Sequence, residues 1–270
     1  MYAILLNEQQ QLDLERTATI LAKAENLVYA DATHAVRTCT GILARNLPAH
    51  EAEAIANELN ANGVGCFILP MAEFYHPPEA RVLPRITLGP ECFGPMDLYG
   101  RVTPVPWASI ILLSVGHIGE QRRERYTLGD SSVQQGMGMG AAVAFGVPYH
   151  MGGARLTSPE HERPRQKIKT KARCVLDVFG RAPNEGHWRI EHNGFSYDCL
   201  GTNLKPRADE NFRVLVGETV RFATSCYGTT GLNLFLEGAP EQRYTYDGIN
   251  HFDDENLWLL QKVYLNLRAQ

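Results

Sequence analysis

The sequence predicts an α+β protein, and two observations carry that reading. Short continuous apolar runs such as Ala3-Ile4-Leu5-Leu6 and Val64 to Leu69 have the length and composition of buried strands. Elsewhere apolar residues recur at helical spacing, as at Leu14, Ala18, Leu21 and Ala22. Proline and glycine clusters divide the chain into an N-terminal module over residues 1–70 and a β-rich module over 79–270. The second module carries a long loop insert, 119–171, and ends in a two-helix segment.

The N-terminal module reads β-α-α-β-α-β. A helical stripe begins at Leu12. A second helix starts at Asp31, a good capping residue, turns Ala32, Ala35 and Val36 inward and stops at Gly41. Ile42 to Leu47 is extended. Pro48 opens a third helix at its first position, Ala52, Ile55, Ala56 and Leu59 form its stripe, and Asn62-Gly63 closes it. Val64 to Leu69 returns as a strand, so this helix is a crossover between two strands.

Pro70, Pro77, Pro78 and Pro84 mark a linker. Val82 to Leu88, Met96 to Tyr99 and Ile110 to Val115 are strand-like runs, with turns at Gly89-Pro90, Gly94-Pro95 and Gly100. Trp107 is a core anchor. The insert combines a charged stretch at Glu120 to Arg125, a Gly- and Met-rich one at Gln134 to Gly140, and a charged tail to Lys171. It reads as a long or disordered loop. Cys174 to Phe179 and Trp188 to Glu191 follow as strands. Asn211 to Ala223 is a helix with Phe212, Leu215 and Val216 inward. Glu255 to Leu267 is the last helix, with Asp253 and Asp254 at its positive end.

The order of elements, and the stretch GILARNLPAHEAEAIANELNANGVGCFIL in particular, resembles the C-terminal domain of the bacterial ribosomal stalk protein and the related Clp-protease adaptor fold. That resemblance covers residues 1–70 and implies docking to a protein partner. The stalk protein's glycine- and lysine-rich helical face is missing, since Arg37 is the sole cation between Asp31 and Thr40, so a translation-factor partner is not implied. Val105-Pro106-Trp107-Ala108-Ser109-Ile110 looks like the opening strand of small bacterial barrels of the pleckstrin-homology-like kind. The strings FSYDCLG, ADENFRVLV and ENLWLLQKV look like the end of bacterial proteins in which a strand-bearing module closes with two helices.

A formal charge of −4 argues against global attraction to nucleic acid or an acidic membrane. No two of the six cysteines form a C-x-x-C pair, so they read as buried free thiols of a cytoplasmic protein. The N-terminus has no basic region and no signal-peptide core. Gly136 to Ala141 satisfies G-x-G-x-x-A, but no buried strand precedes it. Met137, Met139, His150 and Met151 offer soft donors in no closed-site spacing, and neither a metal nor a cofactor is expected. His187 and His192 lie five apart around a strand and face opposite ways. No nucleophile elbow, H-E-x-x-H or P-loop occurs.

The expected function is therefore a non-enzymatic protein-interaction or regulatory module. One alternative is an enzyme whose site assembles from dispersed residues under the 119–171 loop. Its mark would be His150, His187 or His192 converging with an acid or a thiol. Another is weak nucleic-acid binding through the alternating Arg163, Arg165, Lys167, Lys169, Lys171 and Arg173. A solvated edge strand explains that stripe as well, because no aromatic is interleaved.

Overall fold

A computed structural model describes residues 1–8, 12–24, 28–124, 167–181 and 186–269. Helices and several sheets give the expected α+β class. The N-terminal elements are β1 (Tyr2–Leu6), α1 (Leu14–Ala24), α2 (Tyr29–Arg37), β2 (Ile42–Leu47), α3 (Ala49–Ala61) and β3 (Cys66–Pro70). Their sheet has the order β2-β1-β3, with β1 antiparallel to both neighbours. The α3 connection thus crosses over the central strand. Arg45 and Asn46 of β2 oppose the single residue Ala3, a bulge at which Asn46 takes a positive φ of 60°.

Details of the helix ends differ from expectation. α2 begins at Tyr29, so Asp31 lies in its first turn instead of capping it. Pro48 is the residue before α3, not its first. Asn62 caps α3 and Gly63 follows at φ +82°, as the Asn-Gly signal requires. Gly41 is not the stop of α2, which ends four residues earlier. Its φ is +135°, and an added Cβ would lie 2.2 Å from the Trp258 ring. Glycine is there to let an indole lie on the backbone.

Four consecutive residues of β1, Ala3 to Leu6, are buried. Because side chains alternate along a strand, both faces of this sheet must be covered. The cover includes the C-terminal helix, Ile249–Ala269, whose Trp258 belongs to the same core. The linker is anchored too. Phe74 joins this core, and the Tyr75 backbone is clamped by Gln261, whose Oε1 accepts at 2.7 Å and whose Nε2 donates at 2.8 Å.

The rest of the chain contributes β4 (Arg81–Val82), β5 (Ile86–Leu88), β6 (Cys92–Pro95), β7 (Val105–Pro106), β8 (Ile110–Glu124), β9 (Lys167–Gly180) and β10 (His187–Glu191). Then come α4 (Ala208–Phe222), β11 (Tyr227–Gly228), α5 (Thr230–Leu236), β12 (Thr245–Tyr246) and α6 (Ile249–Ala269). The larger sheet runs β11-β8-β9-β10-β4, with β12 also on β8, and β5-β6-β7 is a small antiparallel sheet. Among the described residues no barrel closes. The large sheet ends on two-residue strands, which cannot continue the hydrogen-bonded path around a cylinder. Leu113, Val115, Leu176, Val178, Trp188 and Ile190 share a core with Phe212, Leu215 and Val216 of α4. Ile111, Leu112 and Phe179 pack instead with Leu260 and Val263 of α6.

The C-terminal segment therefore holds three helices, not two. α5 is capped by Thr229, whose hydroxyl accepts the Leu232 N–H. α4 and α6 start three and six residues earlier than expected. The ends of the expected 119–171 loop are strand, since β8 reaches Glu124 and β9 begins at Lys167. The motif at Gly136 to Ala141 and the donors Met137, Met139, His150 and Met151 lie outside the described residues. No described helix is long and apolar enough to cross a membrane.

Candidate interaction surface and clefts

Of the run Met96 to Tyr99, expected as a strand, Met96 makes an antiparallel bridge to Val102, and the residues after it turn the chain between β6 and β7. Asp97 dictates this. Its Oδ1 accepts the backbone N–H groups of Tyr99 and Arg101, each at 2.9 Å, and its Oδ2 accepts Arg101 Nε at 2.7 Å. These bonds, the Arg101 N–H first, hold the Asp97 carboxyl below the usual carboxylate range. Gly100 supplies φ +80° and donates to the Asp97 carbonyl at 3.0 Å. The braced turn presents Leu98 at 88 % and Tyr99 at 86 % exposure. The Arg101 guanidinium lies 5.5 Å from the Tyr99 ring centroid. Exposed Val82 of β4 adjoins, and with Pro84 and Met96 it lines a 460 Å³ depression beside the turn.

A second cleft, 520 Å³, lies where β9 and β10 meet α4. His192, Cys174, Phe212 and Tyr244 contribute to it, with Arg173, Arg207 and Arg213 among its cations. Burial pushes the Cys174 thiol up to about 11, with Glu241 and Asp209 adding to the effect, so it is held as the unreactive thiol. Of the expected basic stripe, Arg173 lines this cleft and pairs with Glu191 at 2.7 Å. The backbone of Lys167, Lys169 and Lys171 is in β9, and Arg163 and Arg165 lie outside the described residues.

A third cleft, 460 Å³, adjoins a buried charge network. Asp177 is fully buried in β9. It accepts from Arg189 Nε at 2.8 Å, from Arg189 Nη2 at 2.5 Å and from His187 Nε2 at 2.8 Å. Arg189 also bonds Asp253 of α6. Burial alone would raise the Asp177 pKa, but the bonds from Arg189 and His187 outweigh it and hold the carboxyl down. Asp253, with one bond and with Asp177 nearby, is raised, first by burial. The His187 ring stacks on Phe179 at 4.1 Å, and its Nδ1 faces the Pro78 carbonyl at 3.3 Å.

The convergence that would mark an enzyme is met in form, by His187 with Asp177 and by His192 beside Asp209 and Cys174. The geometry is not that of a free base. Every ring nitrogen of His117, His187 and His192 lies within 3.3 Å of a protein oxygen. His192 Nε2 faces Asp209 at 3.1 Å, off the line of a hydrogen bond. As expected, His187 and His192 line different clefts. Among the described residues no group of three or more His, Cys, Asp or Glu is placed to hold a metal ion.

Sequence reasoning missed Asp177, Arg189 and the braced turn. A lone aspartate inside Val175 to Phe179 was the available signal for the first. It also missed Glu255, only 4 % exposed, whose carboxyl burial pushes up against a bond from Tyr246. For such a group the stabilising contribution is complete below the unfolded carboxyl's pKa and is lost as pH rises through the folded value. Glu255→Gln is expected to raise stability at pH 7 by about 1 kcal/mol, the low end of what a poorly compensated buried group costs. At pH 4 it leaves stability unchanged. Urea denaturation at the two pH values measures this.

Comparison with protein-family models, with curated proteins and with solved structures finds no match.

Proposed function

We propose that this protein is a non-enzymatic interaction module that docks a partner protein through the turn bearing Leu98 and Tyr99. The observation that carries the reading is the pairing of near-complete exposure with rigidity. Two large apolar side chains project from a turn fixed by five hydrogen bonds of Asp97, one of them from Gly100. A preformed apolar projection loses little conformational freedom on binding, and exposed apolar patches of this kind serve recognition. Tyrosine is well suited to such a contact.

Charge narrows the partner. Arg81 and Arg101 are exposed and line the depression beside the patch, and only Arg101 has an ion-pair partner among the described residues. A second copy of this chain would bring arginines against arginines. A different protein with an apolar patch rimmed by carboxylates fits better. The likeness of residues 1–70 to docking folds supports a binding role, and the paired ring nitrogens of His187 and the raised Cys174 thiol support a non-enzymatic one. Six free cysteines support a reducing, cytoplasmic setting.

The test is affinity capture from the native lysate with wild-type protein, Leu98→Ser/Tyr99→Ser and the control Leu204→Ser. Leu204 is 49 % exposed and remote in sequence from the turn. The expected result is a stoichiometric partner held by wild type and control and lost by the double variant, whose folding stability stays within about 0.5 kcal/mol of wild type. Retention by the double variant, or no partner for wild type, overturns the proposal.

A further inference from the structure

We infer that the cleft between α6 and residues 76–80 is a binding site for a primary alkylammonium group, received by Asn256 and Asp253. Asn256 is 2 % exposed, and neither its Oδ1 nor its Nδ2 has a hydrogen-bond partner among the described residues. A buried amide with both ends unsatisfied is an unusual cost for a fold to carry, and such groups call for an explanation. Asn256 lines the cleft together with Asp253, three residues earlier on the same helical face.

The neighbouring polar groups are already committed. Arg189 serves Asp177 and Asp253, and the two nitrogens of His187 face Asp177 and Pro78. Asp253 gives one oxygen to Arg189 while its side chain stays 43 % exposed. What the cleft still offers is the Asn256 amide, whose oxygen accepts and whose Nδ2 donates, and the outer part of the Asp253 carboxylate.

The charge around the cleft has the matching sign. Asp177, Asp253, Asp254 and Glu79 stand against two guanidinium groups, Arg189 and Arg45, the latter 2.9 Å from Asp254, with the imidazoles of His76 and His187 also at the cleft. A cation relieves this excess. The ligand's second requirement is an alkyl stem. Pro77, Pro78, Ile249 and Leu257 form apolar wall, with Phe179 beside them. With no three-ligand metal cluster among the described residues, N–H donors on an organic cation fit the donor set better than an inorganic ion.

The experiment is isothermal titration of the full chain with 1,4-diaminobutane and n-butylammonium. Tetramethylammonium (charge without N–H) and butyramide (N–H without charge) are the controls. The expected result is saturable binding of both amines and at least tenfold weaker binding of both controls. Asn256→Leu is expected to abolish amine binding while remaining folded, since it removes two unpaired buried polar atoms. Asn256→Asp, which keeps the acceptor and adds charge, binds the amines as tightly or more tightly than wild type. No saturable binding by either amine overturns the inference, as does equal binding of butyramide, unchanged affinity in Asn256→Leu, or loss of binding in Asn256→Asp.

Discussion

Asp177→Ala is expected to cost about 3–5 kcal/mol, the typical price of removing one partner from a buried ion pair. In a protein of ordinary stability that is a large fraction of the total. The size of the effect comes from what is left behind. Arg189 is 6 % and His187 7 % exposed, and without Asp177 the guanidinium keeps only Asp253 while His187 loses its carboxylate. The same network joins β9 and β10 to α6, so the loss also weakens that junction, which keeps the Arg189–Asp253 bond and the packing of Leu260 and Val263. Asp177→Asn keeps the shape and one acceptor and is expected to lose less. The sign of the pH dependence follows from the lowered Asp177 pKa. Its stabilisation is complete above the unfolded aspartate value, about 4, and is lost as pH falls through the folded value. Urea denaturation of wild type and variant between pH 3 and 7 should show the gap between them narrowing at the acid end.

Trp258→Ala is expected to cost about 3–5 kcal/mol as well, by a different mechanism. The indole fills the core of the N-terminal sheet, lies over the backbone at Gly41 and donates to the Leu6 carbonyl at 2.9 Å. Alanine leaves a cavity beneath β1 and β2 and orphans that carbonyl. Trp258→Phe keeps much of the volume and loses the N–H, for about 1–2 kcal/mol. Hydrogen exchange of the β1 amides distinguishes this loss from the Asp177 effect. Trp258→Ala should speed exchange in Ala3 to Leu6, whereas Asp177→Ala should act first on β9 and β10. Because α6 supplies this side chain, residues 1–70 without α6 expose part of their core.

How much was legible in the sequence follows from how local each signal is. The N-terminal module was readable element by element, because its strands are continuous apolar runs and its helices carry clear stripes. The boundary errors there are tertiary in origin. Gly41 looked like a helix stop and is a seat for an indole more than 200 residues away in the chain. In the β-rich part, β4, β7, β11 and β12 are two residues long, too short for any periodicity to show. Met96 to Tyr99 alternates like a strand, yet the Asp97 side chain competes for the backbone donors and wins a turn. The candidate surface was hidden for that reason. The charge network was hidden because Asp177, His187, Arg189 and Asp253 are paired across strands and onto a helix, which sequence spacing does not reveal. The basic stripe was visible, but its one described side chain, Arg173, is committed to Glu191.

The measurement that tests the docking surface most directly is site-specific photo-crosslinking in the native cell. The photoreactive residue p-benzoylphenylalanine replaces Tyr99 in one strain and Tyr29, 48 % exposed on α2, in another. A discrete adduct with one protein from position 99, absent from position 29 and competed away by excess unlabelled wild-type protein in lysate, is the predicted result. No discrete adduct from position 99, or the same adducts from both positions, contradicts the account.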